Sequence, residues 1–470
     1  MPQHGSGSNG KGVSFDVAIV GAGVVGCAMA RQLTLDGANV VVLEKAQDVL
    51  DGASKGNSAI LHTGFDAPPG SLEQSCIAAG YSEYHKVAAE LGLPILKSGA
   101  LVLAWNNDQA EFLPGLIEKA HDNGVADAAP LSKDQILHRE PHLSGELVSG
   151  FEVPGEYLID AWASAHAYLL QALANGATLL RTTEVMGGQF DGESWTLDTS
   201  AESTIRARCI INCAGLYGDI VSQRLIGKAP FTITPRKGQF VVFDKAASRL
   251  VSSIILPVPT KKTKGLVLCQ TIYGNLLLGP TAEDQMSRDD SSTDGQMLEE
   301  LIEKGKQMAP DLAHYEITAT YAGLRPASEF QDYQISFEAS QNYVTVGGIR
   351  STGLSAALGI AQHVSQRLMI SDFSNAAIEE PVTPEPDRLS EYHLRDWQTP
   401  EHGGIVCHCE SVTSREIERV MAGPMPPSTL QGLKRRTRVC MGRCQGFYCL
   451  AEVAKLTNHR FDLPIAEQHG

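Results

Sequence analysis

No apolar run in the 470 residues is long enough to cross a bilayer, and the first twelve, MPQHGSGSNGKG, lack the apolar core of a signal peptide. Membrane contact is expected only through a partner. The expected location is cytoplasmic, with peripheral attachment at the inner face of the membrane left open. Basic excess is missing too: 38 Lys and Arg stand against 54 Asp and Glu, a net charge of −16, which argues against nucleic acid as a partner and repels anions at long range. Any small anionic substrate needs its own local cluster of Lys and Arg. Pairing spacing is absent among Cys27, Cys76, Cys209, Cys213 and Cys269, so no disulfide framework is expected. Disorder is not the general state, since 43% of residues are hydrophobic and 20% charged, enough for about three domains with ample core.

Five of the ten cysteines fall close together, as Cys407-His408-Cys409 and then Cys440, Cys444 and Cys449. Soft thiolates in such a group select an iron–sulfur cluster or zinc. Near the other end, residues 15–45, FDVAIVGAGVVGCAMARQLTLDGANVVVLEK, read as strand, glycine turn, helix to about Leu35 and second strand ending at Glu44. In this unit Gly21 permits the tight turn, Gly23 lets the backbone approach a pyrophosphate, Gly26 allows close helix–strand contact, and Glu44 is placed to accept from a ribose hydroxyl. No second fingerprint follows, which disfavours a reductase with two dinucleotide domains and makes an organic substrate the expected electron donor. A cofactor that takes electrons in pairs beside a cluster that takes them singly describes an electron-transferring dehydrogenase. A structural zinc knuckle stays open as the alternative.

Two more strands run into glycine: residues 208–219, RCIINCAGLYGD, and 343–353, YVTVGGIRSTG. Either alone reads equally as an ordinary strand-to-helix turn. His62, in KGNSAILHTGFDAPPG (55–70), has a side chain suited to take a hydroxyl proton near neutral pH, although an isolated histidine in an apolar stretch is more often a core residue. Arg325, in AGLRP (322–326), offers a planar fork for an anion, or else a surface ion pair. Lys261, Lys262 and Lys264, in PVPTKKTKG, and Arg350 with Ser351 are further candidates for a local positive site, though a short lysine run is usually a solvated loop.

In this order and spacing the glycine segments resemble the flavin-contacting segments of the D-amino-acid-oxidase-like FAD superfamily. Residues 55–70, 273–284 (YGNLLLGPTAED) and 322–326 resemble its glycerol-3-phosphate dehydrogenase/oxidase and L-2-hydroxyglutarate dehydrogenase branch, over almost the full chain. The resemblance implies an α/β fold: a Rossmann-like FAD-binding domain from residues 14–75, 150–230 and 325–370, with an inserted β-rich substrate domain from 76–149 and 231–324. It implies FAD contacts at Gly21, Gly23, Gly26, Glu44, Val185, Ala214, Gly215, Asp219, Gly348, Gly353 and Leu354. His62 would act as base, with Ser58 one helical turn before it. Arg325 would hold the anionic group, with Ser58, Ser351 and either Lys261 or Lys264 contacting substrate.

Residues 371–404 shift to Pro, Glu and Asp and read as an extended linker with little capacity for core. Beyond it, residues 405–470 resemble the small helical [2Fe-2S] domain of bacterioferritin-associated-ferredoxin type, with Cys407, Cys409, Cys444 and Cys449 matching its ligands. Cys440 stands where those relatives usually have glycine, and a register using Cys440 with Cys444 stays open. The basic run 434–438, KRRTR, could offset the cluster's charge or bind an acidic partner, or be a solvated face. The implied activity is FAD-dependent oxidation of sn-glycerol-3-phosphate to dihydroxyacetone phosphate, electrons passing through [2Fe-2S] to a quinone or partner subunit. An L-2-hydroxy acid, and more weakly a D-amino acid or opine, are the alternatives. A catalytically idle electron-transfer subunit is disfavoured by the presence of both His62 and Arg325. Phosphate against carboxylate, the physiological acceptor and the oligomeric state stay open.

Overall fold

The computed structural model describes residues 14–201, 204–259, 265–370, 372–458, 460–465 and 468. Strand Ser14–Val20 is buried from Phe15 onward, the unbroken apolar run of a central strand covered on both faces. It pairs in parallel with Val40–Leu43 on one side and Thr204–Asn212 on the other. The described sheet has eight strands, with Tyr343–Gly347 parallel to Thr204–Asn212 and an antiparallel hairpin, Val185–Phe190 and Trp195–Thr199, at one edge. Helices Val24–Leu35, Leu72–Leu91, Ala163–Ala174 and Gly353–Ser365 bury their apolar faces with Val17, Ile19 and Val42. Val221 and Leu225, from Gly218–Ile226, pack with Ala18, Val20 and the hairpin residues Trp195 and Leu197.

Helix Leu72–Leu91 corrects one expected boundary. It places Cys76, Ile77, Tyr84, Val87 and Leu91 in the core of the first domain, not the inserted one. The reason lies in its crossing with Gly353–Ser365. A Cβ on Gly80 would meet the Ser355 carbonyl at 2.2 Å, and one on Gly359 the Cys76 carbonyl at 2.1 Å, so two small residues let the backbones touch. Among the described residues the inserted domain has a nine-stranded sheet in which Ile233–Phe243 pairs antiparallel with Ile317–Ser328 over almost its whole length. Ser149–Val153 and Ile317–Ser328 both belong to it, so the boundaries expected at 150 and 325 fall after Val153 and after Ser328.

The C-terminal unit is a short hairpin, Ile405–Cys407 with Val412–Thr413, followed by helices Ser414–Ala422, Leu430–Thr437 and Leu450–Leu456. Thr413 and Glu416 cap the first helix reciprocally, and Ile417, Leu433, Val439 and Val453 fill the small core. Residues 372–404, expected as an extended linker, contain the short 3-10 helix Asp396–Gln398 and no strand, and they lie against the body of the protein. Ile378 N–H donates to Leu35 O at 2.8 Å and Glu391 N–H to Ile272 O at 2.9 Å, while Leu389, Ser390 and Arg395 are buried.

The basic run, expected as a solvated face, as a charge offset for the cluster or as a partner's site, is turned inward. Arg436 forms two 2.8 Å bonds to the carboxylate of Asp48, with 3% and 1% of the two side chains exposed. Arg435 reaches Asp51 at 3.1 Å and Val49 O at 3.3 Å. Arg438 pairs with Glu410 at 2.9 Å. Two-point guanidinium–carboxylate bonds away from water are directional, so this run sets how the C-terminal unit sits on the first domain. Replacing Asp48 by Ala leaves Arg436 buried without its anion, a change that costs about 3–5 kcal/mol. The expected result is a lower urea midpoint and earlier proteolysis within residues 372–404; a parental midpoint would show that the pair does not hold the unit.

Candidate functional site

A cavity of about 830 Å³ runs between the two sheets, from the glycine turn at one end to Arg325 and Phe240 at the other. At the turn, Gly21 has φ +102°, and a Cβ there would stand 2.7 Å from Cys213 O. Gly26 lies beneath it: its Cβ would meet Gly21 O at 1.9 Å. Gly23 begins helix Val24–Leu35 without a side-chain cap. Bare backbone at a positive helix end is what a pyrophosphate requires, so these residues fit the diphosphate of a dinucleotide. Glu44 stands at the end of the second strand, its carboxylate accepting from Ala22 N–H at 2.7 Å and Ala46 N–H at 2.9 Å. Burial pushes its pKa up against the pull of those amides.

Val185, Ala214, Gly215, Gly353 and Leu354 also line the cavity. Three expected contacts do not: Gly26, which lies beneath the turn, Asp219 and Gly348. Asp219 is held by Arg288 at 2.6 and 2.8 Å and accepts from Ile233 N–H at 2.9 Å. Burial would raise its pKa, but Arg288 and the amide hold it below the ordinary value, so the acid ties a helix to the inserted sheet. Gly348, at φ +66°, lies against Gln334 and Ser328 while its neighbours Gly347 and Ile349 line the wall.

Beyond the turn the cavity wall includes His62, Ser58, Arg325, Arg350 and Ser351. Strand Ile60–Leu61 pairs antiparallel with Tyr157–Ile159, Leu61 facing Tyr157, and the next step of that register sets His62 opposite Glu156. His62 Nδ1 lies 2.8 Å from Glu156 Oε2, and Glu156 Oε1 accepts from Thr63 N–H at 2.6 Å and Thr63 Oγ1 at 2.7 Å. A carboxylate accepting from Nδ1–H fixes the tautomer that leaves Nε2 free to take a proton. Glu156, fully buried, was not legible beforehand, because 94 residues separate it from His62 and only its register in the small sheet brings them together. Ser58 is not one helical turn before His62. Residues 56–59 are not helical, and Ala59 has φ +58°.

Arg325 and Arg236 face each other across the paired strands, and only one is neutralised. Arg236 grips Asp284 at 2.6 and 3.0 Å, whereas Arg325 donates to the neutral carbonyl of Thr281 at 3.0 Å. Burial, and then the charge of Arg236, press its pKa down to about 10. Arg325 is half-buried and has no counter-charge among the described residues, and such a cation is stabilised by whatever anion enters beside it. Lys261, Lys262 and Lys264 lie outside the described residues.

The cysteines of the C-terminal unit fall into two groups. Cys407 and Cys440 lie against Cys449, with 3.4 Å between the sulfurs of Cys440 and Cys449, and Cys409 lies against Cys444. Burial raises Cys407 and Cys449 to about 11, while the amides of Tyr448, Gly446 and Phe447 lower Cys444. Among the described residues no three donors gather as for a single ion. Within these groups Cys407 with Cys449 and Cys409 with Cys444 make two pairs, which fit a binuclear cluster with two thiolates on each iron, and Cys440 is a fifth thiol beside the first pair. Cys440 has φ +63°, the region that favours glycine, which accords with its being an exception at that position. A Cβ at Gly26 must displace the turn, so Gly26→Ala is expected to lose bound dinucleotide, read from the absorbance of purified protein; a full complement in the variant would show that the turn can give way.

Residues 16–367 match the family model for FAD dependent oxidoreductases, and residues 405–458 that for BFD-like [2Fe-2S] binding domains. A glycerol 3-phosphate dehydrogenase of Caloramator mitchellensis is 31% identical over 464 residues, 96% of each chain. An L-2-hydroxyglutarate dehydrogenase of Indibacter alkaliphilus is 28% identical over 57% of this chain and 68% of its own. Among solved structures, dithionite-reduced L-alpha-glycerophosphate oxidase of Mycoplasma pneumoniae with FAD bound superposes with a TM-score of 0.73 at 29% identity, over 78% of this chain and 97% of that one. Among the described residues no helix is long and apolar enough to cross a membrane. With its glycine cradle, its inserted sheet and its paired cysteines, the chain belongs to the DAO family of FAD-dependent oxidoreductases and carries a BFD-like [2Fe-2S] domain at its C-terminal end.

Proposed function

We propose that the chain is a dehydrogenase that oxidises sn-glycerol-3-phosphate to dihydroxyacetone phosphate and passes the electrons from flavin through the [2Fe-2S] centre to a quinone or a partner subunit. The observation that carries this reading is the pairing, in one cavity, of a histidine backed by a buried carboxylate with an arginine that has no counter-charge among the described residues. The similarity of the whole chain to a glycerol 3-phosphate dehydrogenase supports the choice of substrate. FAD, held by Gly21, Gly23, Glu44 and the glycines that follow the later strands, supplies the hydride acceptor when bound. His62 Nε2 takes the proton of the substrate hydroxyl, and Glu156 holds the ring in the tautomer that can do so and steadies the charge the ring acquires. Arg325 grips the anionic end and so sets which carbon faces the flavin. Ser58, Ser351 and Lys261 or Lys264 complete the grip on substrate, and Cys407, Cys409, Cys444 and Cys449 hold the cluster.

Anaerobic addition of substrate tests the assignment. Glycerol-3-phosphate is expected to bleach the flavin faster than L-2-hydroxyglutarate, L-lactate, D-alanine or an opine; bleaching only by an amino acid or opine would sink it, and faster bleaching by L-2-hydroxyglutarate would move it to the carboxylate branch. His62→Ala is expected to keep bound FAD and to slow bleaching by roughly 10²-fold or more, the scale of losing a positioned base. Glu156→Gln should slow it less, with substrate KM unchanged. Parental rates in both variants would place the base elsewhere. Cys444→Ser is expected to remove the iron–sulfur signal while substrate still reduces the flavin, and zinc in place of iron and sulfide in the anaerobically purified parent would overturn the cluster assignment.

A further inference from the structure

Behind the flavin cavity, on the side facing the cysteine unit, a buried column of side chains takes no part in holding substrate or dinucleotide. Lys55 and Ala161 belong to the cavity wall. The indole of Trp162, the next residue, donates from Nε1 to Lys55 O at 3.1 Å. Its ring lies face to face with that of Tyr273, the centroids 5.6 Å apart and the planes 16° from parallel. The Tyr273 hydroxyl donates to Asp160 Oδ1 at 2.9 Å and lies 3.3 Å from Ala161 N–H, which returns the column to the wall. Arg438 also packs on the Tyr273 ring, its guanidinium carbon 4.1 Å from the centroid. Arg438 is pinned by Glu410 at 2.9 Å and Asn275 at 3.3 Å. In the chain Glu410 follows Cys409, and Cys440 lies two residues beyond Arg438, so both arms of the cysteine unit meet at this guanidinium.

From these contacts we infer that the column Trp162–Tyr273–Arg438 is the route by which electrons cross from the flavin to the [2Fe-2S] centre; it rests on the proposal that electrons leave through that centre. Tunnelling weakens steeply across gaps and much less through bonded or touching atoms, and here every step from wall to cysteine loop is a covalent bond, a hydrogen bond or a ring in contact. Stacked rings and a guanidinium on a ring are favourable contacts in their own right, so the column also holds the two domains in register. The two transfers together remove two electrons and the one proton that the hydride brought to the flavin, the hydroxyl proton leaving separately from His62, and each transfer converts one ferric iron to ferrous. The second electron follows once the cluster has passed the first to its acceptor. No residue of the column is itself oxidised or reduced.

The test is a single turnover of the anaerobic holoenzyme with glycerol-3-phosphate, following flavin bleaching by stopped flow and the reduced cluster by freeze-quench electron paramagnetic resonance. Signals are scaled to the cluster that dithionite reduces in the same preparation. In Trp162→Leu and Tyr273→Leu the flavin is expected to bleach at the parental rate while the cluster signal rises severalfold more slowly, and Tyr273→Phe, which keeps the ring, is expected to restore the parental rise. Parental cluster reduction in both Leu variants would overturn the route. If Tyr273→Leu loses its cluster, Trp162→Leu decides alone, since the indole hydrogen bond and ring contact of Trp162 are with Lys55 and Tyr273. A parental enzyme whose flavin bleaches without any cluster signal would instead defeat the underlying reading of where electrons go.

Discussion

The placement of the C-terminal unit depends on charges withdrawn from water. Arg436 and Asp48 are the deepest of these pairs, and each would be costly to bury alone; together they are satisfied only in one relative position of the two domains. Arg435 with the half-exposed Asp51 adds a second tie, and Arg438, paired with Glu410 inside its own unit, reaches Asn275 of the inserted domain at 3.3 Å. Apolar contact is tolerant of small shifts, but a forked guanidinium on a carboxylate is not. A cluster domain that merely hung from residues 371–404 would present its cysteines to the flavin at varying distances. The buried pairs remove that freedom and set the cysteine loops against the wall behind the cavity.

The same principle, applied with the opposite sign, shapes the cavity. Two arginines face each other across one pair of strands. Asp284 neutralises Arg236, and no carboxylate neutralises Arg325 among the described residues, so the site is built with a vacancy for negative charge in a protein whose net charge is strongly negative. On the histidine side the arrangement is reversed: Glu156 is buried and spends its hydrogen bonds on His62 and Thr63. One part of the wall lacks an anion, and another carries a histidine backed by a buried carboxylate. An anionic alcohol meets both conditions at once.

What the sequence made legible was local. The glycine turn, its helix and the second strand lie within thirty residues, and steric reasons for each glycine can be argued from spacing alone. The cysteine pattern was legible for the same reason. Partners remote in the chain were not. Glu156 carries no signal of its own; it joins His62 only through the register of a small three-stranded sheet. The family resemblance implies a cofactor contact at Asp219, but Arg288, 69 residues on, claims it instead. The basic run looked like surface because lysine and arginine usually are, and the acids that draw it inward stand nearly four hundred residues earlier. In each case the missing term was an electrostatic partner supplied by the fold.

Arg438 joins these threads. It is the one member of the basic run whose guanidinium lies on an aromatic ring as well as on a carboxylate, and burying it against Tyr273 makes sense only if the contact between the domains matters at that point. Burial would lower its pKa, yet Glu410 and Tyr273 more than compensate, so the charge persists where it is least solvated. A purely structural joint would be served as well by leucine or methionine in the same volume. A charged group kept beside the cysteines, on a ring stacked towards the cavity wall, ties the cysteine unit to the rest of the chain at one fixed point.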